Sequence, residues 1–417
     1  MFNKSFLVIL LLATGALSSP LIKRTGKSIT LPVARRVNIT GGAHSLLKHD
    51  QARAKAIKER KANIPTHGKA KSFSAAFGVP ITNQVVDYAV TVGVGNPPTA
   101  FNLLIDTGSS NTWVGAQPTN PFVISSSSQD TGNLVEVIYG SGFVLGEQFI
   151  DQLTIGDVVI ENQSLGAAIL NQGFTDVDGI IGIGPTVLTT GTLFPATDDL
   201  VPTVTDNAFA QGLIDADLVS VSFAPTQDLS STNGELIFGD VDPAKFVGDI
   251  HFVPITSTVP ANEFVGIDQT ITYGAAATPI LNLTSGITDT GTTLLLIASD
   301  AFAAYQTVTG GVPDDDTGLL RLTPEQFGNL ESLFFNIGDA TFEFTPNAQI
   351  FPRALNTAIG GSDDFVYLIV NDIGSLSGEG LDFIDGMTFQ ERFFTVFDST
   401  NSQFGIANTV NTFATPN

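Results

Sequence analysis

The chain has 417 residues, 43% hydrophobic and only 14% charged, enough apolar material for two cored domains and too much for a disordered protein. It has no cysteine, which excludes disulfides, thiolate nucleophiles and thiolate metal sites. Its formal charge of −23 is uneven: thirteen of the 18 Lys+Arg lie between Leu21 and Lys71, whereas of the 41 acids only Asp50 and Glu59 precede Ser72, and so polyanionic a body repels nucleic acid.

In chain order, MFNKSFLVILLLATGALSSP carries Lys4, an apolar run from Phe6 to about Leu17 and small residues at Ala16 and Ser18. This is the pattern of a signal peptide over residues 1–18. The run is shorter than the roughly 20 residues that span a bilayer, so a secreted, extracellular protein without a membrane anchor is expected. Residues 19–74 are basic, and in KERKANIPTHGKAKSFSAAFGVP basic residues give way to small and apolar ones. Behind a signal peptide, such a segment reads as a propeptide. The acidic body should prefer acid, because protonation of carboxylates relieves self-repulsion.

From about residue 75 the pattern is short strands punctuated by Gly, Asn and Pro. VVDYAVTVGVGNPPTAFNLLIDTG predicts two strands joined at Asn96-Pro97-Pro98, the second running into Asp106. LVEVIYGSGFVLGEQF predicts a hairpin with Tyr139-Gly140-Ser141-Gly142 at its turn. Helical spacing is rare: TVTDNAFAQGLI with Asp206 as its cap, SDAFAAYQTVTG with Phe302, Tyr305 and Val308 on one face, and TPEQFGNLESLFF. Asn162-Gln-Ser and Asn282-Leu-Thr are glycosylation sequons.

Two internal echoes divide the body. FNLLIDTGSSNTWVGA (101–116) and TSGITDTGTTLLLIAS (284–299) each run apolar residues into Asp-Thr-Gly, and DGIIGIGP (178–185) and LDFIDGMTF (381–389) each follow with apolar residues before a glycine. Two copies at this spacing suggest a duplicated lobe rather than a solenoid. The boundaries read as an N-terminal lobe over 75–250 and a C-terminal lobe over 251–417.

Chemistry is narrowed by elimination. Past the basic segment His251 is the single histidine, in a predicted strand, so a histidine-rich zinc site is excluded and a Ser-His-Asp triad would have to use it. No Gly-rich phosphate loop with its lysine is present. Carboxylates remain. Apolar flanks around Asp106 and Asp289 raise a carboxyl's pKa, and two carboxylates brought together share one proton. The ionised member can take a proton from water as it attacks a peptide carbonyl, while the protonated member gives its proton to the developing oxyanion. The glycines free the backbone to turn, and the hydroxyls of Ser109 and Thr292, three residues after each Asp, can donate to the carboxylates. A glycoside hydrolase is the competing reading, disfavoured by the single tryptophan; an inactive binding protein is another, disfavoured because both aspartates and Tyr139 are present.

These motifs are similar to those of the pepsin-like aspartic endopeptidases over about residues 80–410, and within that family to cysteine-free enzymes secreted by basidiomycete fungi. The resemblance implies a mostly β, bilobal fold with two homologous lobes flanking a cleft. It implies that Asp106 and Asp289 form the dyad and that Thr107-Gly108-Ser109 and Thr290-Gly291-Thr292 support it. Tyr139, Gly140, Ser141 and Gly142 match the flap, and Trp113 the indole that bonds the flap tyrosine. Leu104, Phe174 and Ile180 are then pocket residues. The resemblance further implies a zymogen and a monomer that needs no metal or organic cofactor. Its partners would be protein and peptide substrates, pepstatin-type inhibitors and its own propeptide, with a lysine expected against the dyad. Ser141 stands where some fungal relatives place an Asp that accepts lysine, so hydrophobic residues are expected at the cleavage site. One departure is local: Asp385 precedes and Met387 follows a glycine where the family usually has an aliphatic residue and then an acid, and the turn is expected to differ there.

Overall fold

Both Asp-Thr-Gly turns end a strand that is buried as it approaches them. In the computed structural model, which describes residues 26–37, 44–63, 86–140 and 142–417, Thr99–Asp106 is buried from Leu103 onward, and Thr278–Thr288 from Ser285 onward. The expected signal peptide, the basic-to-apolar transition near Ser72 and Ser141 lie outside the described residues.

The echoes seen in the sequence are strand partners. Gly179–Gly182 runs parallel to Leu103–Asp106, and Thr112–Val114 returns antiparallel along its other side. In the second half Phe383–Asp385 runs parallel to the end of Thr278–Thr288, and Leu295–Ile297 returns beside it. The same three-strand arrangement thus supports each turn. Fully buried strands read as apolar runs without alternation, which is how DGIIGIGP and LDFIDGMTF appear in the sequence.

The fold is mostly β and two-lobed. One large sheet contains the first half and also takes in Phe393–Asp398 and Gln403–Asn408 from the end of the chain, through pairing of Phe393–Asp398 with Leu218–Ser222. A seven-stranded sheet and a three-stranded sheet build the second half. Its core includes Phe335, Phe344, Phe389 and Phe393, all fully buried, with ring centroids 4.8–6.4 Å apart. Apolar burial on this scale holds a body of this size together without disulfides. His251 lies in Val247–Pro254, with Nε2 3.2 Å from Asp339.

Helices follow their local signals with one shift. Val204–Ala210 is capped by Thr203, whose hydroxyl accepts from the Asp206 N–H while the Asp206 carboxylate accepts from the Thr203 N–H. Asp206 is therefore the third residue of a capping box and not the cap. Ser299–Thr309 forms as expected, whereas TPEQFGNLESLFF is helical only over Pro324–Phe327 before its apolar residues enter the strand Leu333–Ile337.

Residues 29–37 and 44–63 of the basic segment form a strand and a helix. Ile29–Val37 inserts antiparallel between Ser230–Phe238 and Val86–Val94, burying Ile29, Leu31, Val33 and Arg35 on alternate positions. His44–Asn63 follows as a 20-residue helix, about 30 Å long. It is rich in Ala, Lys and Arg, good helix formers, and Pro65 follows its end. Leu46, His49, Asp50, Arg53, Ala54 and Ile57 are buried at helical spacing, so one face lies against the body.

Candidate active site

The two aspartates meet where the duplicated turns face each other. Thr107 N–H donates to Thr290 Oγ1 at 3.0 Å, and Thr290 N–H donates to Thr107 Oγ1 at 3.0 Å. Thr290 Oγ1 in turn donates to the Ile105 carbonyl at 3.0 Å. Side chains that fill each other's backbone bonds leave no polar group unmet at the centre of the site. The glycines permit the approach: a Cβ on Gly108 would lie 2.6 Å from Asp289 Oδ1, and one on Gly291 would lie 2.6 Å from Asp106 Oδ1.

Asp106 and Asp289 are fully buried. Ser109 Oγ donates to Asp106 Oδ2 at 2.5 Å and Gly108 N–H to Oδ1 at 2.9 Å. The second turn repeats this, with Thr292 Oγ1 to Asp289 Oδ2 at 2.6 Å and Gly291 N–H to Oδ1 at 3.0 Å. The expected hydroxyl donors are thus in place on both sides.

A third charged group occupies the site. Arg53, from the basic helix, donates through Nη2 to Asp106 Oδ1 at 2.5 Å and to Asp289 Oδ1 at 2.9 Å, and through Nε to Asp289 Oδ2 at 2.6 Å. Burial by itself lowers the guanidinium pKa, but Asp106 and Asp289 outweigh it and the net direction is up. The carboxyls respond unequally. For Asp106, burial and the charge of Asp289 outweigh Arg53 and push it up. For Asp289, burial also pushes up, but the Arg53 charge and hydrogen bonds, with those of Thr292 and Gly291, hold it below its ordinary value.

The helix is bound along its length. Asp50 accepts the N–H groups of Thr293 at 3.3 Å and Leu294 at 2.8 Å. Gln51 donates to the Asp372 carbonyl at 2.8 Å, Lys58 pairs with Glu379 at 3.0 Å, and Arg60 donates to the Leu188 carbonyl at 2.7 Å. It therefore touches both halves of the body.

The predicted hairpin, Gln129–Tyr139 with Gly142–Ile155, folds over this point, and a Cβ on Gly140 would lie 2.1 Å from the Arg53 backbone. Trp113 Nε1 donates to Tyr139 Oη at 2.9 Å. Phe174 packs edge-on against both rings, at 4.9 Å from Trp113 and 5.3 Å from Tyr139. Leu104 and Ile180 are paired neighbours in the same buried cluster. Burial and then Asp106 push the Tyr139 phenol up, keeping it a donor.

Residues 87–409 match the family model described as "Eukaryotic aspartyl protease". The chain is 58% identical to polyporopepsin of Irpex lacteus over 343 residues, covering 82% of this chain and 100% of that protein. Pepsin A of Rhinolophus ferrumequinum is 29% identical over 344 residues, 79% of this chain and 83% of that protein. Among solved structures, the aspartic proteinase from Irpex lacteus superposes with a TM-score of 0.79 at 49% identity, over 94% of this chain and 100% of that one. Fold and paired carboxylates define an aspartic-type endopeptidase, a hydrolase of peptide bonds. The chain belongs to the pepsin-like aspartic protease family.

Sequence reasoning missed Arg53. It expected a lysine, and nothing in a run of thirteen bases marks this arginine.

Proposed function

We propose that this chain is the inactive precursor of a secreted acid endopeptidase in which Asp106 and Asp289 activate water, with residues 19–74 as the propeptide. Arg53 bridging both carboxylates carries the reading, because a cation in that place excludes both water and the shared proton. A guanidinium is well matched to two carboxylates, since it stays charged at any working pH and binds them through several donors.

With the helix displaced, two buried carboxylates hold one proton between them. The ionised one takes a proton from water as the oxygen attacks the scissile carbonyl carbon, and the neutral one protonates the oxyanion. A proton returned to the amide nitrogen then lets the C–N bond break. Tyr139, tied to Trp113, positions the flap over an extended peptide. Leu104, Phe174 and Ile180 beneath it, with serine at position 141, favour hydrophobic residues at the cleavage site. The N-terminal 18 residues direct secretion, and the exposed Asn162 and Asn282 can carry glycans.

The test is hydrolysis of denatured haemoglobin across about pH 2 to 7 by acid-treated protein, with and without pepstatin, beside Asp106→Asn and Asp289→Asn. Acid activity abolished by pepstatin and by either substitution supports the reading. Activity that survives both substitutions sinks it.

A further inference from the structure

Asp385 lies one strand behind Asp289. Its strand pairs Asp385 with Thr288 on one side and Leu295 on the other. The matching place in the first half, paired with Ile105 and Thr112, is Ile181. An acid therefore stands where the other half has an aliphatic residue. Both Asp385 and Gln269, on the strand Gly266–Tyr273 that lies across Thr278–Thr288 from it, are fully buried. Gln269 Nε2 donates to Asp385 Oδ1 at 3.2 Å. That leaves Asp385 Oδ2 and Gln269 Oε1, both buried and without a hydrogen-bond partner.

These two orphaned atoms are acceptors of the same pair, and a single proton satisfies both. We propose that Asp385 is a neutral carboxylic acid whose O–H donates to Gln269 Oε1, closing a two-bond ring, and that loss of this proton sets the upper pH limit of the second lobe. Native interiors seldom leave buried polar atoms unmet, and a carboxyl that is protonated acts as a donor.

The surroundings offer no counter-charge. Asp268 on the Gln269 strand is taken up by Thr256 and Ser285, and Asp289 by Arg53, Thr292 and Gly291. After the short helix Met387–Gln390, Glu391 pairs with Arg35, and Arg392 bonds to Asn347. The Tyr273 hydroxyl oxygen accepts the Glu331 N–H. Among the described residues none of these charges bonds to Asp385. Burial accordingly pushes its carboxyl up to about 8, against the Gln269 bond alone.

The sign follows from the unfolded value near 4. Below about pH 4 both states are protonated and the pair stabilises fully. Between there and about 8 the unfolded chain ionises while the folded one does not, so stability falls as pH rises. Above that the buried group ionises. Asp385 is thus a positioning residue: its carbonyl accepts the Asp289 N–H at 3.2 Å and Gln390 Nε2 at 3.3 Å, so strand displacement here moves the turn that carries Asp289.

The experiment is thermal and pH-induced unfolding of the full chain and Asp385→Asn. Asparagine reproduces the ring at every pH, donating to Gln269 Oε1 without a titrating proton. The variant should match wild type near pH 3 and lose its fold at an alkaline midpoint at least one pH unit higher. An unchanged midpoint, or equal destabilisation at pH 3 and 7, overturns the proposal. Should the variant not fold, carboxyl-13C aspartate titration in the Asp217→Asn background, with pepstatin bound after maturation, reads the group directly. Asp217 is removed because burial and Asp206 push it up to about 7. Two carboxyls that stay protonated to pH 6 are expected, one held by the Asp106–Asp289 pair and one more at Asp385, and only one overturns the proposal. The effect on activity rests on Asp289 belonging to the dyad, whereas the unfolding midpoint does not, so the two ideas fail separately.

Discussion

Arg53 holds Asp289 through two nitrogens, Nε and Nη2, and the same Nη2 reaches Asp106. The pairing is buried, so removing one partner leaves charges unmet and is destabilising for the docked helix. Hydrogen bonds to charged groups contribute about 1.5–3 kcal/mol each.

Arg53→Gln should therefore loosen the helix and raise the rate of self-maturation at pH 5 at least about tenfold, since 1.4 kcal/mol corresponds to a factor of ten. Arg53→Lys should keep most of the inhibition. The check is the appearance of shortened chain with time by electrophoresis, with pepstatin as the control.

Arg35 offers a second hold on the body. It is fully buried and pairs with Glu391 at 2.8 Å, while Tyr88 donates to the same carboxylate at 3.2 Å. Burial pushes Glu391 up, and Arg35, Arg392 and Tyr88 pull it down without cancelling the rise. Because Glu391 is raised overall in the docked form, its own protonation does not release Ile29–Val37; the hold rests on the charge pair with Arg35. Glu391→Gln removes the charge that pairs with Arg35. It should make the Arg35-Arg36 bonds cleavable by trypsin near pH 7, where the wild-type strand resists; equal resistance would count against the idea.

The reciprocal bonds of Thr107 and Thr290 can be broken with little change of shape. Thr290→Val leaves Thr107 N–H and the Ile105 carbonyl without their partner. A loss of about 1–3 kcal/mol per unmet buried group is expected in denaturant unfolding, with a lower kcat because the carboxylates lose their fixed relation.

Trp113 is the only tryptophan, so its fluorescence reports its bond to Tyr139 at the hairpin end. Tyr139→Phe removes the acceptor of its Nε1–H. Emission should change on substitution, and kcat/KM on a peptide substrate should fall about tenfold, near the 1.4 kcal/mol expected for one lost hydrogen bond. Unchanged kinetics would separate the tyrosine from flap closure.

The short helices show how far local chemistry reaches. Thr203 and Asp206 specify a helix start within four residues, and the structure differs only in which of them is the cap. TPEQFGNLESLFF shows the opposite: its second half is taken by strand pairing of Leu333–Ile337 with Gly266–Tyr273, a tertiary gain that overrides helix propensity.

The sequence by itself determined where the two Asp-Thr-Gly turns, the apolar runs that echo after them and the hairpin ending at Tyr139 lie. Each is a contiguous pattern whose backbone needs are written in neighbouring residues: apolar runs, glycines and hydroxyls at fixed offsets. Only the tertiary structure decided that Arg53 seats on Asp289, 236 residues away, and that Asp385 meets Gln269, 116 residues away. The buried face of the basic helix is made of Asp50 and Arg53 as much as of Leu46 and Ile57, so no hydrophobic period announces it. A charged or acidic side chain takes on such a role only when folding brings its partner close and takes the water away.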